Sequence, residues 1–267
     1  MTYQMSFVSD RIKPFFTKNS EFNVSFIICG TQKGGTTALD YYLRAHHEIC
    51  MANKKEVHFF DNNENFKLEN IKYKNYHKYF NPMEHHRVIG EATPIYMYWE
   101  NAIKRIHKYN PKMKLIMILR NPIKRAFSHW NMETEKNKEH LNFKEAIQVE
   151  LSNLKSQKPH QNRIRSYLAR GLYSKQIKQI LECFKMENLL IIQNEKLRNL
   201  PNEVLAQVST FLSIAPFEKI EHKNIHSRKY KKELMSDDMQ FLQDFYSTEI
   251  SSLEELLGWD LEGWKNN

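Results

Sequence analysis

Short, nearly unbroken apolar runs punctuate an otherwise polar chain. They fall at 24–29, 88–89, Lys114–Leu119 and 189–192, each flanked by charged or turn-forming residues. Runs of this length are too short for helices and match strands buried on both faces of a parallel sheet. Elsewhere apolar residues recur at helical spacing. Ile177, Ile180, Leu181 and Phe184 stand at i, i+3, i+4 and i+7, and Val204, Val208, Phe211 and Leu212 repeat that face after Pro201. Leu242, Phe245, Leu253, Leu256 and Leu257 mark a further helix that ends at Gly258. Strands alternating with helices predict βαβ units and a single α/β domain over 1–267, a central parallel sheet flanked by helices, with its motif-bearing part at about 24–260. Two stretches, 61–85 and 131–168, are polar, dotted with aromatics and irregular in period. They are expected to be insertions that build a substrate cleft.

At 41% hydrophobic and 12% aromatic, the 267 residues are too apolar for a disordered chain. Forty Lys and Arg against thirty-one Asp and Glu leave a net charge of +9. That excess suits nucleic acid, an acidic membrane surface or a multiply anionic small ligand, and does not choose among them. No apolar run approaches the roughly 18 residues of a membrane span. Asp10, Arg11 and Lys13 interrupt any signal-peptide core. The chain is therefore expected to be cytoplasmic and without a transmembrane segment, and nothing in it specifies an oligomeric state. Cys29, Cys50 and Cys183 are odd in number and widely spaced, which argues against a disulfide framework or a zinc ribbon. The pairs His46–His47 and His85–His86 lack the spacing of metal ligands, so they are expected at the surface and no metal is expected.

Only seven glycines occur, and Gly30, Gly34 and Gly35 fall within six residues of one another, in FIICGTQKGGTTALDYYL. Strand, glycine-rich turn and amphipathic helix in that order make a phosphate cradle: backbone N–H groups converge on an anion, the helix N-terminus adds about half a positive charge, and Lys33 adds a full one. Thr36 and Thr37 place hydroxyls at the helix start. The competing account is a sharp strand-to-helix turn with threonine caps. The nucleotide-kinase motif GxxxxGK[ST] is missed, because Thr36 stands where lysine is needed. No convincing acidic residue closes a second apolar run to hold Mg²⁺. These two absences favour a donor other than a nucleoside triphosphate.

KLIMILRNPIKRAFSHW repeats the geometry, with Arg120 at the end of a strand and Pro122 suited to a first helical turn. Ser128 lies about two turns further on. In a parallel sheet ligands bind at the strand C-termini, and two anion sites there suit a nucleotide phosphorylated at both ends.

Taken together, GTQKGGTTAL, KEVHFFD, GEATPIY and LRNPIKRAFSHW resemble the PAPS-dependent sulfotransferases, particularly the carbohydrate-type group with the heparan sulfate N- and 3-O-sulfotransferases and their bacterial relatives. The resemblance runs from about residue 24 to the C-terminus and implies the P-loop-kinase-like sulfotransferase fold. It implies that Lys33, Gly34, Gly35, Thr36 and Thr37 hold the 5′-phosphosulfate of PAPS (3′-phosphoadenosine 5′-phosphosulfate), and that Arg120 and Ser128 grip its 3′-phosphate. It also makes Glu56 the general base, with His58 two residues away and Lys33 serving the reaction itself. Tyr173, in RGLYSKQ with Gly171, matches a segment near the nucleotide. HSRKYKKELMSDD resembles a basic loop that closes over the donor, through Arg228 and Lys229 or, in another register, Lys231. Ala92 stands where many glycosaminoglycan-modifying members carry lysine. The implied reaction transfers sulfuryl from PAPS to a hydroxyl or amine of a saccharide or glycolipid, releasing adenosine 3′,5′-bisphosphate (PAP) without a metal. Two other readings of the residues stand beside it. One is a nucleotide kinase or ATPase. The other is a basic non-catalytic nucleic-acid binder, prompted by the net charge and by IKYKNYHKYF at 71–80, although no specific nucleic acid is expected. The tyrosines of 71–80 either pack inward or line an acceptor cleft.

Overall fold

A computed structural model of the chain describes residues 22–68, 70–156, 161–218 and 233–265. Five strands, β1 (Phe26–Gly30), β2 (Ile49–Met51), β3 (Val88–Ala92), β4 (Lys114–Leu119) and β5 (Leu189–Gln193), pair in parallel in the order β2-β3-β1-β4-β5. Side chains alternate across the sheet as the pleat requires. Ile27, Cys29, Leu115, Met117 and Leu119 enter the larger core on one face, and Phe26, Ile28, Ile116 and Ile118 the smaller one on the other. Both faces are covered, which explains why these strands read as continuous apolar runs.

The helices are α1 (Thr36–Arg44), α2 (Lys74–His77), α3 (Ala102–Tyr109), α4 (Pro122–Glu135), α5 (Phe143–Lys155), α6 (Tyr173–Leu181), α7 (Asn194–Asn199), α8 (Pro201–Leu212), α9 (Ser236–Leu257) and α10 (Glu262–Lys265). The periodic segments at 177–184, 204–212 and 242–257 become α6, α8 and α9, and Gly258 terminates α9 in a left-handed conformation at φ 64°. β2 has no counterpart among the expected strands, because three residues at a sheet edge carry too little pattern to read.

The stretch 61–85 is largely exposed but sends Tyr76 and Phe80 into the core. Tyr76 is fully buried, stacks on Phe59 with centroids 4.9 Å apart, and meets Phe80 and Tyr109 edge-on. In 131–168 the end of α4 is followed by α5, which opens with a capping box between Asn142 and Glu145. His46 is not a surface residue. It is buried, its Nδ1 accepts from the Glu48 N–H at 3.1 Å, and its Nε2 lies 3.0 Å from the Ala215 carbonyl. No helix among the described residues is long and apolar enough to cross a membrane.

Candidate functional site

From β1 the chain turns through α1 toward β2, on one side of the sheet, and from β4 it turns toward β5, on the other. The strand order therefore diverges between β1 and β4, which opens a crevice at their C-terminal ends. The turn after β1 is built by backbone constraint. Lys33 sits at φ 70° and Gly35 at φ 107°, both in left-handed territory. A Cβ on Gly34 would lie 2.2 Å from the Ile118 carbonyl oxygen of β4, so only glycine lets the turn lie against that strand. Thr31 N–H donates to the same carbonyl at 3.1 Å, and Asn194 Nδ2 donates to the Gly34 carbonyl at 2.7 Å. No side chain caps the N-terminus of α1. Thr36 is buried there and Thr37 exposed.

Arg120, after β4, reaches across the crevice and donates from Nη1 to the Lys33 carbonyl at 3.3 Å. The two strand ends singled out in the sequence thus meet in one place. Ser128 is buried on α4. Tyr173 is wholly buried, and its hydroxyl donates to the Arg120 carbonyl at 2.9 Å, so it braces Arg120 from behind. Arg228, Lys229 and Lys231 lie outside the described residues. On α4, His129 is buried and kept neutral, first by burial and then by the charges of Arg170, Arg125 and Lys33.

A second cluster follows β2. Glu56 and His58 both adopt positive φ, at 61° and 57°, and the Glu56 N–H donates to the Ala92 carbonyl at 2.8 Å. Glu56 Oε1 accepts from Lys55 Nζ at 2.8 Å, and its Oε2 lies 3.6 Å from His58 Nε2. His58 Nδ1 meets Asp61 Oδ2 at 2.9 Å. The charged His58 ring, with Lys55 assisting, pulls the Glu56 carboxyl down to about 2. Asp61 and then Glu56 push the His58 ring up to about 9. At neutral pH the pair is therefore an anion beside a cation. Asp61 stands at the end of KEVHFFD and went unremarked in the sequence. Its partner Arg163, with Nη1 at 2.6 Å from Asp61 Oδ2, gave no sequence signal.

Glu91 is a second residue that sequence reasoning passed over, although it lies inside the GEATPIY motif. It is fully buried on β3 and accepts hydrogen bonds from Tyr76 at 2.8 Å, Thr93 at 2.5 Å and Tyr96 at 3.3 Å. Burial pushes its carboxyl up to about 7 against those three donors. The Tyr96 hydroxyl in turn accepts from the Phe59 N–H at 2.9 Å, so Glu91 and Tyr96 support the Glu56 loop from beneath. No group of His, Cys, Asp and Glu suited to a metal ion occurs among the described residues.

Residues 24–255 match the family model described as Sulfotransferase domain. The chain is 35% identical over 112 residues to the membrane-associated sulfotransferase kil1 of Dictyostelium discoideum, covering 42% of this chain and 23% of that one. It is 29% identical over 204 residues to heparan sulfate glucosamine 3-O-sulfotransferase 5 of Mus musculus, covering 75% of this chain and 56% of that one. With the bifunctional heparan sulfate N-deacetylase/N-sulfotransferase 3 of Mus musculus it shares 28% identity over 281 residues, covering 90% and 31%. The chain thus spans 23% to 56% of the length of these relatives. Among solved structures, a sulfotransferase from Alicyclobacillus acidocaldarius superposes with a TM-score of 0.76 at 28% identity, covering 92% of this chain and 100% of that one.

Proposed function

Because this chain belongs to the sulfotransferase domain family and is an enzyme of that class, we propose that it moves a sulfuryl group from PAPS to a hydroxyl or amine of a saccharide or glycolipid, releasing PAP. The observation that supports the donor assignment is that Arg120 Nη1 donates to the Lys33 main-chain carbonyl, which brings the two strand ends into one crevice where a single doubly phosphorylated nucleotide would be within reach of both. The residues fit such a ligand. The glycine turn leaves no room for a side chain at Gly34, α1 starts without a side-chain cap, and a second cation stands opposite. A saccharide acceptor is supported by the heparan sulfate enzymes among the relatives.

In this reading the loop N–H groups and Lys33 stabilise charge that develops on the 5′-phosphate as its bond to sulfur breaks, and they do so more in the transition state than before it. Arg120 and Ser128 hold the 3′-phosphate, with Tyr173 keeping Arg120 in place. Glu56 takes the acceptor proton. A carboxylate held near 2 is a weak base, so the proton leaves late, once the forming O–S or N–S bond has acidified the acceptor. His58, protonated, stays beside Glu56 as its ion-pair partner and is not itself the base.

Calorimetric titration with PAP and with ADP tests the donor assignment. PAP is expected to bind more tightly, without need of Mg²⁺. Equal, Mg²⁺-dependent binding of ADP would favour a kinase or ATPase instead. Transfer of radiolabelled sulfur from PAPS to saccharide acceptors should be abolished in Glu56→Gln, and a Glu56→Gln protein with undiminished turnover would remove Glu56 from its role.

A further inference from the structure

Two consecutive alternate residues in the left-handed region, neither of them glycine, are costly. Each persists only where the surroundings fix it. The base loop carries two, Glu56 and His58. The side chain that fixes them laterally is Asp61, wholly buried, with its Oδ2 shared between His58 Nδ1 at 2.9 Å and Arg163 Nη1 at 2.6 Å. Among the described residues its Oδ1 meets no donor. Among the described residues, His58 and Arg163 are the hydrogen-bond partners of the Asp61 carboxylate. Arg163 grips it twice, since its Nη2 also donates to the Asp61 main-chain carbonyl at 2.9 Å. The guanidinium lies over the Trp99 ring, its Cζ 4.4 Å from the centroid.

The backbone that delivers Arg163 is tied to the donor side. Arg170, almost wholly buried, donates from Nη2 to the Asn162 and Arg163 carbonyls at 3.1 and 3.0 Å, and from Nη1 to the side-chain carbonyl of Gln32, the neighbour of Lys33. Three residues further on, Tyr173 braces Arg120. One stretch of chain thus holds the glycine turn, the arginine opposite it and the base loop in fixed relation.

We propose that Arg163 is a positioning residue of the transfer reaction: by fixing Asp61 it fixes His58, and through His58 the place where the Glu56 carboxylate meets the acceptor. The inference rests on the sulfuryl-transfer reading above. An ordinary surface ion pair is worth about 0–1 kcal/mol and orients nothing. This one differs in that its carboxylate side chain has 0% exposure and is held at two points.

The arginine side chain itself is 46% exposed, so replacing it should leave the fold intact. The test compares wild type, Arg163→Met, Arg163→Lys, Asp61→Asn and the Arg163→Met/Asp61→Asn double variant, with PAPS and a de-N-sulfated heparin oligosaccharide mixture. Arg163→Met is expected to lower kcat by about tenfold, a size typical of coupled neighbours, with PAP affinity within about twofold of wild type. Lysine should recover only part of the rate, because it lacks the two-point fork. In the Asp61→Asn background, Arg163→Met should cost nothing further. An unchanged kcat in Arg163→Met, or losses that simply multiply in the double variant, would overturn the proposal. Failure of the underlying reading would show differently, as a wild-type protein that does not prefer PAP to ADP.

Discussion

The turns that leave β1 and β4 face the same crevice and are built on opposite plans. After β1 the contact surface is backbone: Lys33 and Gly35 take positive φ, Gly34 lies against the Ile118 carbonyl, and no side chain caps α1. After β4 there is no glycine. Asn121 Oδ1 accepts from the Ile123 and Lys124 N–H groups at 2.9 and 3.2 Å, and Pro122 supplies no N–H, so the first donors of α4 are consumed within the chain. What that turn offers is a side chain, Arg120. On the proposed reading the first turn would meet an anion with its main chain. The second would meet one with a single side-chain charge, held in place by Tyr173 and the Lys33 carbonyl.

The largest effect expected from breaking this contrast is at Lys33. Loss of one preorganised donor to a developing charge commonly costs about 10²–10³ in rate, so Lys33→Ala should lower kcat by that much at saturating PAPS. Wild-type turnover in that variant would remove the first turn from the reaction. Next comes Arg120→Ala. A hydrogen bond to a charged group is worth about 1.5–3 kcal/mol. PAP affinity should therefore fall by about 10- to 150-fold while AMP affinity, which reports only the 5′ side, stays level. A parallel loss for AMP would mean that the two turns do not serve separate phosphates.

Gly34→Ala probes the backbone plan directly, because its Cβ would meet Ile118 O at 2.2 Å. Overpacking of this kind costs about 1–3 kcal/mol, read as a lowered Tm together with weaker PAP binding. An alanine variant with wild-type stability would show that the close approach is dispensable. Asn121→Ala should cost about 1 kcal/mol through the lost cap, a fall in Tm of about 2–4 °C, and leave PAP affinity unchanged. If PAP affinity collapsed instead, the α4 terminus would be contacting the donor as α1 does.

The smallest effect belongs to the base loop, which differs from both turns in being held by side-chain charge. His58 has its folded-state value raised to about 9, so its contribution to stability is complete below its ordinary value near 6.5 and disappears as pH rises through 9. Glu56 is depressed to about 2, so its contribution is present above its ordinary value near 4.3 and is lost as pH falls through 2. The Tm difference between wild type and His58→Gln should be widest between about pH 5 and 6.5 and close above pH 9. Both side chains are about 40% exposed, so solvent screening keeps the difference small. A difference that grew toward pH 9 would contradict the assigned ion pair.

Much of this was legible along the chain. Continuous apolar runs gave β1, β3, β4 and β5, the 3.6-residue period gave α6, α8 and α9, and clustered glycines with an internal lysine marked the first turn. Tyr173 was associated with the nucleotide from its motif, yet it is buried and acts on Arg120. The tyrosines of 71–80 suited a cleft wall as well as a core; the fold puts Tyr76 in the core, stacked on Phe59 and bonded to Glu91. His46 looked like one of four surface histidines because adjacency carries no information about burial.

Local pattern determined the strands β1, β3, β4 and β5 and the helices α6, α8 and α9, and it marked the two strand ends for which anion binding is proposed, since periodicity, glycine content and charge placement act within a few residues of sequence. Only the folded arrangement decided that Arg120 would lie over the Lys33 carbonyl, 87 positions away, and that Arg163 would hold Asp61 across 102. Those pairings follow from the strand order and from chain segments crossing above the sheet, and the free energy that fixes them comes from burial shared by the whole core, which no short stretch of sequence encodes.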